Sequence, residues 1–179
     1  ITVSCYVMAP LMIGLACCAR NVVILVLTEK WIPCVFFLQI FCITYMFYPI
    51  HTANLNAVKA MGRSDLFLKM EVWKKAVGLV LLLSTMFISI KAMAYSLLIS
   101  TLTSMIINSW PNKKLLNYSF WEQMKDIFPS IILAAGMGVI VYLIGSLPVS
   151  TLPLLLIQVV CGGAIYIFGS VILKLEPFL

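Results

Sequence analysis

Charged residues are scarce in this chain. Lysine and arginine together number 12 and aspartate and glutamate 6, so 10% of the 179 residues are charged, whereas a soluble domain carries about 25%. Apolar residues make up 63%, and the mean hydropathy is +1.11. A soluble fold of this length exposes much of its surface and cannot hide so many apolar side chains. The composition therefore excludes a soluble domain and predicts an integral membrane protein.

Metal-site and redox patterns are also lacking. The chain has one histidine, and its six cysteines lie in apolar stretches without a CxxC spacing. The carboxylates all fall in or beside the polar connections between apolar runs: Glu29, Asp65, Glu71, Glu122, Asp126 and Glu176. We therefore predict no metal, no cofactor and no catalytic residue. Most basic residues lie in the same connections rather than in a stripe on a soluble face, so we predict no nucleic-acid partner.

Linkers and repeats are absent as well, which predicts a single transmembrane helical unit over residues 1–179. The chain enters an apolar run directly at Ile1, without the basic start and cleavage site of a signal peptide, and we interpret it as part of a longer protein. A spanning helix needs ~20 apolar residues, because ~30 Å of hydrocarbon is crossed at 1.5 Å per residue. This rule predicts an all-α, polytopic bundle of six spans: 3–27, 33–58, 72–90, 92–110, 127–147 and 152–173.

Basic residues are distributed unevenly over the connections. Eight lie between spans two and three or between spans four and five, and two lie in the remaining connections. Basic loops stay in the cytoplasm, so both of those loops and both chain ends are predicted to be cytoplasmic. The four tryptophans agree with these boundaries, because all fall at predicted span ends or in loops: Trp31, Trp73, Trp110 and Trp121.

Local signals predict how the two basic connections fold. Gly62 is expected to end one helix in the left-handed conformation, and Ser64 to cap a helix that restarts at Asp65. Glu71 lies four residues before Lys75, which favours an ion pair on one helix face. In the second connection, Pro111 is expected to break the preceding helix, and Ser119 to cap a short interfacial helix ahead of the fifth span.

Few polar residues lie inside the predicted spans. Arg20 is the one charge well inside a span, and it fits either forked binding of an anionic phosphate or snorkelling toward the interface, ~10 Å away. A helix break at Arg20 and Asn21 is a further alternative. The second span carries a polar stripe of Thr44, Tyr48, His51 and Thr52, together with Pro49, which should kink the helix near Tyr45. The stripe fits a hydrated cavity or ordinary hydrogen bonding between helices.

Five glycines in the last two predicted spans favour close helix packing rather than a substrate site: Gly136, Gly138, Gly162, Gly163 and Gly169.

Two segments carry a resemblance to a known family. They are LTEKWIPCVFFLQI, from Leu27 to Ile40, and YPIHTANLNAVKAMGRSDLFLKMEVWKK, from Tyr48 to Lys75. In this order and separation they resemble polysaccharide flippases of the Wzx type, in particular the colanic-acid and lipopolysaccharide exporter branch of the superfamily that includes multidrug and toxin extruders. Beyond Lys75 the resemblance rests on helix number and spacing.

The resemblance implies a two-lobed helical transporter in the bacterial inner membrane, of which this chain would form most of the C-terminal lobe. Its substrate would be an undecaprenyl-pyrophosphate-linked sugar repeat unit, used for polysaccharide or lipopolysaccharide synthesis. The implied partners are that substrate, membrane lipid, a missing N-terminal lobe and the polysaccharide polymerase machinery. Arg20 is the implied contact to the pyrophosphate and His51 a second contact; Tyr48 and Thr52 complete the predicted substrate-binding residues.

Three alternatives stay open at this point. A multidrug exporter of the same superfamily would carry an organic cation, which an intramembrane arginine without a buried acid disfavours. A membrane-embedded glycosyl- or prenyl-transferase would need carboxylates near the lipid headgroup, and neither Asp65 with Glu71 nor Glu122 with Asp126 has a metal-site pattern. A purely structural membrane subunit is the third alternative.

Overall fold

The computed structural model describes residues 1–173, except for the side chains of residues 114–116. Over this range the chain is helical and contains no strand, which confirms the predicted all-α fold. The helices are α1 (Thr2–Leu27), α2 (Cys34–Met46), α3 (Tyr48–Ala60), α4 (Ser64–Met86), α5 (Ile90–Leu116), α6 (Phe120–Ile144) and α7 (Thr151–Ile172), with a 3-10 turn at Glu29–Trp31. Glu176 lies outside the described residues.

Five segments of the described chain are long and apolar enough to cross a membrane. They are Thr2–Leu27, Cys34–Ala60, Ile90–Lys113, Phe120–Ile144 and Thr151–Ile172. The third predicted span, 72–90, is not among them, because α4 ends at Met86 and its uncharged part, residues 76–86, is only ~16 Å long at 1.5 Å per residue. The structure thus agrees with the predicted helical membrane bundle of about six spans; α4, with 23 residues, is long enough to span, and only the charges in its first half keep it out of this set.

The described chain divides into two compact units. Unit 1 comprises Phe47–Asp126 together with Ile1, and unit 2 comprises Thr2–Met46 and the residues from Ile127 onward. In unit 1, α5 packs against α3 and α4; in unit 2, α1 packs against α2 and α7. The boundaries fall at Phe47, between α2 and α3, and inside α6. The expectation that residues 1–179 act as a single unit stays a prediction.

The second predicted span is interrupted rather than only kinked. A single turn residue, Phe47, interrupts the α-helix, and Pro49 lies in the first turn of α3, where its missing N–H removes no bond within that helix. The break lies two residues after Tyr45, the position expected for the kink. α1, in contrast, runs unbroken through Arg20 and Asn21, so the alternative of a helix break there is wrong.

The first basic connection is partly as predicted. Gly62 has φ of 68° in the turn after α3, which confirms its left-handed conformation. Ser64 is the first residue of α4 and makes no capping hydrogen bond, so its predicted capping role is wrong. Asp65 in that first turn pairs with Arg63 at 3.1 Å. Glu71 pairs with Lys74 rather than with Lys75, one residue earlier than expected.

The second basic connection differs more. Pro111 lies inside α5, which continues to Leu116 and ends at Asn117 in the left-handed conformation, with φ of 52°. No separate interfacial helix forms in the described chain, because α6 runs continuously from Phe120. Ser119 does cap that helix: its hydroxyl accepts the Glu122 N–H at 3.4 Å, while the Glu122 carboxylate accepts the Ser119 N–H at 2.6 Å. This reciprocal pair is a capping box.

Glycine packing follows the prediction at three of the five positions. A Cβ at Gly138 would lie 2.6 Å from Cγ2 of Ile13, one at Gly162 would lie 3.0 Å from Val141, and one at Gly169 would clash with Leu133. Gly136 and Gly163 face open space instead. The first three glycines let helices of unit 2 approach closely.

Candidate intramembrane site

Arg20 lies in unit 2 on the exposed side of α1. It is seven residues from the end of that helix at Leu27, which is ~10 Å along the axis. No described residue forms an ion pair with it. Its neighbour Asn21 points to a different environment, because Asn21 Nδ2 donates to Gln158 Oε1 at 2.8 Å. Arg20 is therefore the one charged residue of α1, and it has no ion-pair partner within the described part of the chain.

The other three predicted substrate-binding residues lie together in the first turns of α3, in unit 1. Tyr48 is 54% exposed, and the Thr52 hydroxyl donates to the Tyr48 carbonyl oxygen at 2.7 Å. His51 is partly buried, and its Nδ1 lies 3.1 Å from Nδ2 of Asn108 on α5. Thr44, which was expected on the same stripe, lies on α2 in unit 2 and bonds the Ile40 carbonyl at 2.8 Å. The break at Phe47 thus divides the predicted stripe.

A cluster of buried polar side chains lies one turn beyond His51. Its centre is Asn54, which is 1% exposed and uses both amide hydrogens, donating to Gln123 Oε1 at 2.8 Å and to the Ser109 hydroxyl at 3.2 Å. Asn54 Oδ1 in turn accepts from Asn112 Nδ2 at 2.5 Å. We call these four residues, Asn54, Ser109, Asn112 and Gln123, the amide cluster. The four are at most 1% exposed.

Three elements bring the cluster together. Asn54 follows His51 by three residues on α3, and Asn112 follows Asn108 by four on α5, so each helix presents two polar groups on one face. The left-handed turn at Asn117 closes α5, and the capping box at Ser119 starts α6. Gln123 then lies in the first turns of α6 and reaches Asn54 and Ser109.

Four buried side-chain atoms at this site have no hydrogen-bond partner among the described residues: His51 Nε2, Asn108 Oδ1, Asn112 Oδ1 and Gln123 Nε2. A buried polar group left unpaired costs about 1–3 kcal/mol, and hydrocarbon offers no substitute partner. The amide orientations are assigned, yet turning an amide only exchanges an unpaired oxygen for an unpaired nitrogen. Such atoms are satisfied where water or another polar group reaches them.

The groups of this arrangement are suited to hydrogen bonding. Amides, a hydroxyl and the imidazole ring of His51 all donate and accept hydrogen bonds. No group of three potential metal-binding side chains forms within residues 1–173. The site can therefore bind and orient a neutral polar group or carry water.

Comparisons with protein-family models, with curated proteins and with solved structures found no match to this chain. The chemical properties of the site are therefore inferred from its geometry alone.

Sequence reasoning missed most of the amide cluster. Asn54 lies two residues after the polar stripe and was assigned no role, and Gln123 falls in the segment expected to form a separate interfacial helix. The signal that could have found the cluster is the run Asn108-Ser109-Trp110-Pro111-Asn112, in which two asparagines lie four residues apart at the end of an apolar span. Reading Pro111 as a breaker hid this spacing, because it removed Asn112 from the helix.

Proposed function

We propose that this chain is part of a transporter that carries undecaprenyl-pyrophosphate-linked oligosaccharide repeat units across the bacterial inner membrane. The proposal joins the resemblance over Leu27 to Lys75 with one observation: Arg20 is an exposed guanidinium inside an apolar helix, with no ion-pair partner among the described residues. An unpaired charge there is costly, so a ligand that pairs with it is favoured. Phosphate matches the guanidinium fork best.

The proposal assigns different chemistry to different residues. Arg20 binds the pyrophosphate, while Tyr48, His51 and Thr52 offer hydrogen bonds to sugar hydroxyls. A pyrophosphate with several sugars cannot cross hydrocarbon unaided, whereas a protein cavity with polar walls can carry the headgroup while the lipid tail stays in the bilayer. No bond is made or broken in this process. A second helical lobe, implied by the resemblance, would complete the cavity.

The decisive variant is Arg20→Gln in the full-length protein. We expect it to abolish or strongly reduce polymer export in cells that lack their own flippase, at unchanged membrane abundance. Arg20→Lys should keep part of the activity, since the charge survives and the fork is lost. Lys75→Gln, which removes an exposed charge outside the five candidate spans, is the matched control and should export normally. Normal export by Arg20→Gln at equal abundance would refute the binding role.

The proposed orientation follows from the basic connections. With α4, which packs against the candidate span α5, as a sixth crossing, Lys69 lies on the cytoplasmic side and Ser150 on the outer side, and both ends of the chain face the cytoplasm. Single cysteines at these positions, in an otherwise cysteine-free full-length protein, should react with an impermeant thiol reagent from opposite sides. Labelling of position 150 only from the cytoplasm would reverse the orientation.

A further inference from the structure

A pocket lies in unit 1 at the junction of α5 and α6. Its volume is about 550 Å³, and its walls are formed by Ile106, Ser109, Trp110, Lys113, Asn117, Ser119, Phe120 and Trp121. It lies where two candidate spans end, since one ends at Lys113 and the next begins at Phe120. The pocket is therefore at the level of the membrane interface. None of the predicted substrate-binding residues, Arg20 included, lines it.

The pocket is polar at one end and apolar at the other. Lys113, Asn117 and Ser119 lie at the interfacial end, while Ile106 lies seven residues before Lys113 on α5, or ~10 Å deeper along the helix. The side chains of Trp110 and Trp121 are 70% and 79% exposed, as expected of rings at headgroup level. This gradient matches one amphiphile that crosses from the interface into the hydrocarbon.

Charge selects the kind of headgroup. Among the described side chains, Lys113 is the one charged residue of the lining, and no carboxylate of that set lines the pocket. The nearby Glu122 carboxylate is directed at the backbone N–H of Ser119, where it completes the helix cap. An ammonium at this level attracts a phosphate, while Asn117 and Ser119 can donate hydrogen bonds to its oxygens.

We propose that this pocket binds one anionic glycerophospholipid of the bilayer, with its phosphate against Lys113 and the start of its acyl chains along Ile106 and Trp110. The lipid would fill the space between the end of α5 and the start of α6. Its polar end would lie beside Ser109, which also belongs to the amide cluster, so lipid binding would support the helix ends that hold that cluster. This inference does not depend on the proposed transport function.

The experiment uses the full-length protein in vesicles with Trp31 and Trp73 replaced by phenylalanine, so that Trp110 and Trp121 report for this chain. Brominated phosphatidylglycerol and brominated phosphatidylcholine, which quench tryptophan on contact, are compared at equal mole fraction. We expect phosphatidylglycerol to be favoured about fivefold, the contribution of one lysine near an anionic headgroup. Lys113→Gln should remove the preference and Lys113→Arg should keep it.

Lys125→Gln is the matched control, because Lys125 is exposed on α6 and does not line the pocket. It should keep the preference. Equal quenching by both lipids in the unsubstituted protein would overturn the proposal, as would equal losses in the two glutamine variants. Excess inorganic phosphate at constant ionic strength should leave the preference unchanged; if it abolishes the preference, the pocket is a site for free phosphate and not for a lipid.

Discussion

The interiors of the two units are built from different chemistry. In unit 1 the buried positions include the amide cluster, Ser96 and Asn108, with a few apolar side chains such as Ile50 and Val58. In unit 2 the buried positions are mainly apolar, and Ala9, Cys18, Ala134, Met137, Val141 and Tyr166 form one hydrophobic cluster. Both units expose many apolar side chains, so they differ in the polarity of their buried residues rather than of their surfaces.

The buried polar side chains of unit 2 bond to side chains or backbone carbonyls of the same unit. Tyr6 donates its hydroxyl to Ser170 at 2.8 Å, and Tyr166 donates to the Tyr6 carbonyl at 2.8 Å. Gln158 accepts from Asn21 and donates to the Val141 carbonyl oxygen at 2.9 Å. All four unpaired buried side-chain atoms recorded for the described residues belong to unit 1 instead.

The contrast indicates separate tasks for the two interiors. A buried polar group whose hydrogen bonds are all made within the protein strengthens helix packing and requires no water or ligand as a partner. A set of buried groups with spare donors and acceptors has a use only where water or a ligand reaches it. We therefore interpret unit 2 as a unit with a packed apolar interior and Arg20 on its surface. We interpret the interior of unit 1 as hydrated.

The largest effect is expected at the centre of the amide cluster. Asn54→Ala removes three hydrogen bonds, so Gln123, Ser109 and Asn112 each lose their bond to this side chain. We therefore expect the free energy of unfolding to fall by about 3 kcal/mol. Asn56→Ala, an exposed asparagine on the same helix, is the control and should be near neutral. Equal stabilities in an unfolding titration of the two variants would mean that the cluster does not hold unit 1 together.

A smaller effect tests close packing in unit 2. Gly138→Ala places a methyl group 2.6 Å from the Ile13 Cγ2 atom and should cost about 1–3 kcal/mol by overpacking. Gly136→Ala, on the same helix and facing open space, should instead be neutral or stabilise by up to about 1 kcal/mol through helix propensity. Thermal unfolding of both variants measures the sign. Destabilisation by both would show that the backbone, not the contact with Ile13, requires glycine.

The smallest effect concerns the exposed pair before α4. The Arg63 guanidinium, hydrogen-bonded to Asp65 at 3.1 and 3.2 Å, holds the pKa of that carboxyl below its ordinary value. A lowered pKa stabilises the fold above the ordinary value, and this contribution is lost as the pH falls through the folded-state value. Arg63→Gln should raise the pKa of Asp65 in a carboxyl NMR titration, with little change in stability because the pair is exposed. Lys69→Gln should leave that pKa unchanged.

Composition and span length predict the helical membrane architecture well, because long apolar runs leave the backbone few alternatives. The turn at Gly62 and the cap at Ser119 were predictable for a local reason, since each depends on its own few residues. The errors arose where tertiary context decides. Pro111 remains inside α5, and α6 runs continuously from Phe120. The amide cluster joins residues from 54 to 123, and such pairing between distant helices leaves no periodic pattern in the sequence.

The most direct test of the account compares two buried positions by thiol accessibility in membranes. Asn108 and Ala134 are 1% and 0% exposed, one in the polar interior of unit 1 and the other in the apolar cluster of unit 2. With the six native cysteines replaced, a water-soluble thiol reagent should modify Asn108→Cys at least about tenfold faster than Ala134→Cys, because the reagent attacks a hydrated thiolate. Equal rates, or faster modification at position 134, would contradict a hydrated interior in unit 1.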